Sequence, residues 1–284
     1  MKNKNISFDL YRYQILPRNR AFQPDLFGEI KNLEDLLAKK NQIFFQAILN
    51  VREFETRKTT IRHKILYQNQ NQILYRFAAN RSLRRETEQF TEEEIDNWPS
   101  FLVYIWNDPS EQFVAIQERW SAFQKTEVIA KSITEAVDEE LGKSNLRAHA
   151  EALFLEAEFW GLIEQNKGKI RDIHFELITP NMSNISETLS EDLKDFAKHT
   201  NTAQTNLNIQ ADPDSSILLD PNDENLKGLV SYSSEGGGNI SIKIRGLSKR
   251  IHTKKSKKHI DLTELEIDGK NPEELVRIIK GLLK

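Results

Sequence analysis

Between positions 243 and 258 the chain carries Lys243, Arg245, Lys249, Arg250, Lys254, Lys255, Lys257 and Lys258, with no Asp or Glu among them. Fixed cations at that density neutralise phosphates and release their counterions. Lysines outnumber arginines in the run, which favours point-charge contacts to phosphate over bidentate reading of base edges. The run holds no aromatic residue, so it offers no platform on which unpaired bases would stack. The chemistry expected of these residues is attachment to duplex DNA without sequence preference. The competing reading is a solvated hairpin whose charges keep a sheet edge from pairing with other chains. A second basic cluster, Arg76, Arg81, Arg84 and Arg85, is diluted by Glu86 and Glu88.

Enzymatic chemistry has less to stand on. The sequence has no cysteine, which excludes disulfides, thiolate catalysis, iron–sulfur clusters and Cys-ligated zinc. Gly236-Gly237-Gly238 follows an expected helix and precedes an expected strand, the reverse of a phosphate-cradling loop, and reads as a turn. A magnesium nuclease would set an acidic residue before a Glu-x-Lys strand; Glu266-Ile267-Asp268-Gly269-Lys270 has the residue types at the wrong spacing. Arg57–His63 and Arg245–His252 have the loose spacing of a family of helical ribonucleases but lie in strand-like sequence. His63, His149, His174, His199, His252 and His259 never pair on one helix face as zinc ligands do. No catalytic residue, cofactor site or metal site is therefore expected.

Two kinds of segment must position the basic run. Up to about residue 120 the pattern is mainly of strands. Ile6–Leu16 alternates apolar and polar residues, Ile61–Tyr67 and Ile73–Ala79 flank a polar connector as a hairpin, and Phe101–Trp106 pairs with Phe113–Gln117. A helix through Leu26–Leu37, with Asp25 as its cap, interrupts them, and Gln42–Glu55 returns to strand-like residues. Phe123–Leu141 and Leu146–Ile163 are proline-free and rich in helix formers, giving two central helices with Gly142 between them and Ser144 or Asn145 capping the second. From residue 170 the expected order is strand Ile170–Thr179, a helix near Ser190–Phe196, strand Thr205–Ala211, helix Asn225–Tyr232, strand Ile240–Ile244, its returning partner Ile260–Ile267, and a helix opened by Pro272. The expected fold class is α+β in two domains. These are a mainly antiparallel β domain with a helix over 1–120, central helices over 121–168, and a layered α/β unit over 169–284 that carries the basic hairpin.

The chain of 284 residues has 40 Lys and Arg against 43 Asp and Glu, a net charge of -3, and 38% hydrophobic residues. It is long enough to bury a real core and is not uniformly basic. It holds no apolar run long enough to span a bilayer, and its first residues lack the apolar stretch of a signal peptide. A cytoplasmic protein is the expectation.

Phe159-Trp160-Gly161-Leu162-Ile163, the strand Ile173–Thr179 ending in Pro180-Asn181-Met182-Ser183, and Ser234-Glu235-Gly236-Gly237-Gly238-Asn239-Ile240 resemble a bacterial family found among phage-defence genes. Trp98-Pro99-Ser100-Phe101-Leu102-Val103-Tyr104 followed by a hairpin resembles the phage-exclusion protein RexA and, more distantly, the KwaB component of the Kiwa system. The resemblance implies a two-domain α+β fold, dimerisation, and DNA binding with little sequence preference; it carries no catalytic residues. A homodimer is also expected from Leu153, Phe154, Phe159 and Trp160, read as one broad apolar helix face. Against DNA binding in antiphage defence stand two other readings. One is a scaffold subunit that recognises a phage or host protein, or a second defence-system protein; the other is a cryptic nuclease.

Overall fold

The computed structural model describes residues 5–18, 30–57, 59–178, 200, 202–253, 256–267 and 269–283. It is an α+β structure built on two antiparallel sheets and a small hairpin. The organising element is β1 (Asn5–Pro17), whose residues are buried from Phe8 through Leu16 on both faces of the sheet. One edge of β1 pairs with β8 (Gln112–Gln117), and the sheet continues through β7 (Ser100–Asn107), β4 (Gln72–Ala79), β3 (Thr60–Gln68) and β2 (Phe54–Glu55). The other edge is shared. β14 (His259–Thr263) takes Asn5–Asp9, and β9 (Leu146–Ala152) takes Tyr11–Pro17. Leu10 marks the seam, accepting from Leu153 and donating to Lys258 at 3.0 Å each.

Both faces of this sheet are covered. On one, Tyr11, Tyr13, Ile15, Tyr75, Phe77, Val103, Ile105 and Ile116 pack against α1 (Leu33–Asn50) and α2 (Thr126–Lys143). On the other, Leu10, Leu74, Tyr104 and Leu262 meet Leu275, Val276 and Ile279 of α6 (Pro272–Leu283). Burying such side chains contributes roughly 1.5–3 kcal/mol each. The second sheet runs β11 (Gln204–Gln210), β10 (Ile170–Ile178), β12 (Gly238–Ile244), β13 (Ile251–His252), and its core is closed by α3 (Glu156–Gln165) and α4 (Glu224–Tyr232). A π-helical turn, Ser233–Gly237, joins α4 to β12 and touches the first sheet, where Gln14 Nε2 donates to Gly236 O at 3.2 Å. Gly236 sits at φ 84°, and a Cβ there would lie 2.5 Å from that of Arg12. The triple glycine is thus a turn between two sheets, as its sequence order implies. Among the described residues no helix is long and apolar enough to cross a membrane.

Four expectations are corrected. Gln42–Asn50 is helix, the second half of α1, because Lys40, Phe44, Ala47 and Ile48 form a buried helical stripe; Asp25 lies outside the described residues, and Asn32 caps the helix by accepting from Asp35 N at 2.7 Å. Leu146–Ile163 is not one helix. Leu146–Ala152 is strand, its alanines 148, 150 and 152 facing Ile15, Tyr13 and Tyr11 of β1, so an available edge overrides helix propensity. Ile260–Ile267 does not return beside Ile240–Ile244: His259–Thr263 pairs with β1, and Glu264–Ile267 is a short helix, α5. Finally, Leu153, Phe154, Phe159 and Trp160 share no helix face. Leu153 and Phe154 precede α3, and these residues are divided between the two cores or packed against one of them, so they leave no broad face for a second copy. The expected helix near Ser190–Phe196 falls outside the described residues.

Candidate nucleic-acid interface

The basic run is split between the two sheets. Its first half lies at one end of the second sheet. There Ile170 pairs with Ile244, and just beyond this pair Arg245 N donates to Lys169 O at 2.8 Å. That bond sets the turn after β12 beside the turn between α3 and β10. Lys167 and Lys169 from one turn, and Arg245 and Lys249 from the other, are exposed there. Arg171 and Arg245 brace the neighbouring loop. Arg171 donates to the carbonyls of Asp212 at 2.9 Å, Ser215 at 2.7 Å and Pro213, and Arg245 to Ser215 O at 3.1 Å. Lys243 folds its ammonium onto Leu247 O and Ser248 O at 2.7 and 2.8 Å, which closes the turn and leaves its charge at this end. Two cations here face carboxylates: Lys167 lies 3.5 Å from Glu164 in a fully solvated pair, and the less exposed Arg250 pairs with Asp172 and donates to Ser241 Oγ at 3.2 Å, so it is neutralised in place.

Lys167, Lys169 and Arg171 were not among the residues expected from the sequence. The signal was present as Lys167-Gly168-Lys169-Ile170-Arg171, running from a turn into the start of β10. It needs the β10–β12 pairing to bring it next to Arg245.

The second half of the run behaves differently. Lys254 and Lys255 lie outside the described residues. Lys257 turns inward: its ammonium pairs with Asp9, donates to Thr126 Oγ1 at 2.7 Å and lies 3.4 Å from Glu127. Thr126 in turn donates to Asp9, which leaves Tyr11 Oη as the donor in its 2.7 Å contact with Thr126. Burial pushes the Tyr11 phenol far above its ordinary range. Lys258, half-buried, is fixed by its backbone, which donates to Leu153 O at 2.7 Å. Lys257 opens on a pocket of about 230 Å³ lined also by Glu118, Trp120 and Lys125. Burial, and then the charge of Asp9, raise the Glu118 carboxyl.

A lysine beside a hydroxyl at the start of a helix has the residue types of a nucleophile–base pair. Here the lysine ammonium donates to the hydroxyl and faces the carboxylates of Asp9 and Glu127. The arrangement is a charge-assisted tie between the basic segment, β1 and the first turn of α2.

The other sequence candidates are engaged elsewhere. Arg84 and Arg85 lie in the hairpin of β5 (Leu83–Glu86) and β6 (Glu92–Ile95), facing Glu92 at 3.8 Å and Glu93 at 3.3 Å; Arg81 donates to Ala122 O at 2.6 Å. His63 packs between the rings of Phe54 and Tyr75, where burial lowers its pKa. Among the described residues no group of acids and histidines is placed to hold a metal ion. No family model, curated protein or solved structure matches this chain.

Proposed function

We propose that this protein binds duplex DNA without sequence preference, through phosphate contacts made by Lys167, Lys169, Arg245 and Lys249. The observation that carries the reading is the Arg245–Lys169 backbone bond, which holds two basic turns side by side at an exposed end of the second sheet. Cations carried on two adjoining turns can meet phosphates along a backbone and need no base edge to bind. Lys243 adds charge behind them, and Lys254 and Lys255 belong to the same segment of chain. The tip exposes Leu247 rather than an aromatic ring, so the reading favours duplex over unpaired strands. A role in antiphage defence rests on the resemblance of the glycine-rich turn and of Trp98–Tyr104 to that family.

Fluorescence anisotropy with two duplexes of unrelated sequence tests the proposal. Equal affinities that weaken together as salt rises are expected. Absence of binding at low salt, or a strong preference for one duplex, would overturn it. A second reading, a subunit that docks on another protein, is favoured by Trp120, which is 79% exposed beside the Lys257 pocket.

A further inference from the structure

A cleft of about 710 Å³ lies between α1, the tip of the β3–β4 hairpin and the turn after β7. Its size is that of a small-ligand site, about 300–1,000 Å³. Its chemistry is unusual for this chain. In a sequence that is 29% charged, none of the residues lining it is Lys, Arg, Asp, Glu or His. Amides line it instead.

The floor is rigid and internally satisfied. Tyr13 Oη donates to Asn107 Oδ1 at 2.7 Å, Asn41 Nδ2 donates to the same oxygen at 3.1 Å, and Asn107 Nδ2 donates to Asn41 O at 2.8 Å. The hairpin tip is pinned by Asn69, which donates to Tyr67 Oη at 3.2 Å and accepts from Asn71 N at 3.0 Å. The rim is free. Gln42 and Gln46, one turn apart on α1, and Gln68 and Gln70 on the hairpin make no side-chain hydrogen bond among the described residues. Behind the floor, Gln112 pairs across the strands with Asn107. It is fully buried, and neither of its amide atoms has a hydrogen-bond partner among the described residues. Gln112 does not line the cleft, so the asparagine and glutamine amides that do line it carry the reading.

We propose that this cleft binds a neutral oligosaccharide. A phosphate or carboxylate entering it would lose hydration with no cation to replace it, which excludes the polyanion proposed for the basic end. An apolar ligand would strand the amides. Sugar hydroxyls both donate and accept, as carboxamides do, and Phe45, Leu49 and Pro109 supply apolar surface for the ring carbons. No exposed aromatic ring lines the cleft to stack a nucleobase. The site is separate from the basic end and does not depend on it.

The test is titration of the full chain with maltotriose, cellotriose and chitotriose, followed by calorimetry and by the side-chain amide signals in nitrogen–proton spectra, with adenosine and a heparin tetrasaccharide as comparison ligands. Binding of at least one neutral trisaccharide is expected, with the largest shifts at Gln42, Gln46, Gln68 and Gln70. Gln46→Met with Gln70→Met keeps bulk but removes the amides; binding is expected to weaken at least tenfold while the melting temperature without ligand is retained. If that pair fails to fold, Gln70→Met alone, on the exposed hairpin tip, makes the same comparison. Binding of none of the three trisaccharides, unchanged affinity in the folded variant, or binding of adenosine or heparin in their place would overturn the proposal.

Discussion

Replacing Lys257 by Met removes one charge from the tie between the basic segment and the first sheet while keeping most of the side chain's length. The structure sets the magnitude. The Lys257 and Asp9 side chains are 14% and 6% exposed, and the lysine also serves Thr126 and Glu127. Taking away one partner of a buried pair leaves the other charge uncompensated and costs about 3–5 kcal/mol. Lys257 keeps some exposure to solvent, so the lower end, about 3 kcal/mol near neutral pH, is the expected loss. Adding Asp9→Asn removes the stranded charge and should return much of that loss, a large coupling between neighbours. Urea unfolding of the wild type, both single variants and the double variant measures the cycle. A Lys257→Met variant within about 0.5 kcal/mol of wild type, with no coupling to Asp9, would refute the reasoning. A loss of DNA affinity with unchanged stability would return Lys257 to the phosphate-binding surface.

Other perturbations test other parts of the structure. A Cβ at position 238 would lie 2.0 Å from Glu176 O on β10, so Gly238→Ala should cost about 3 kcal/mol or more by urea unfolding. Burial pushes Lys40 down to about 8, so charging it opposes folding below that pH; the penalty fades as pH rises from the folded value towards the unfolded one. Lys40→Met should therefore stabilise the protein near neutral pH, and its advantage over wild type should disappear towards about pH 10. Charge reversal at Arg84 and Arg85 should leave DNA affinity and salt dependence at wild-type values, since those residues face Glu92 and Glu93 across a separate hairpin.

Much of the fold was legible where side chains alternate or crowd with β-branched and aromatic residues, as in β1, β7, β8, β10 and β12. It was not legible where local preference and long-range pairing disagree. Ala148, Ala150 and Ala152 are helix formers that become a strand because β1 offers an edge only the folded chain can show. Ile43, Phe44 and Phe45 look like a strand by residue type, and the helical stripe of Lys40, Phe44, Ala47 and Ile48 appears only once the sheet beneath it exists. The return of β14 to β1 joins residues at least 250 positions apart, which no window of sequence contains. The same limit applied to the basic run. Its density was plain in the sequence, but its division was not: Asp9 draws Lys257 inward, Asp172 takes Arg250, and the β10–β12 pairing brings Lys167 and Lys169 to Arg245.

The central claim is that cations at the end of the second sheet hold DNA by its phosphates. The direct measurement is the slope of log affinity against log salt for a duplex, between about 50 and about 200 mM, in the wild type and in a variant with Lys167, Lys169, Arg245 and Lys249 replaced by Glu. The variant is expected to remain folded, bind at least tenfold more weakly, and show a slope shallower by roughly 0.9 for each phosphate it no longer neutralises. A folded variant with wild-type affinity and slope would contradict the claim.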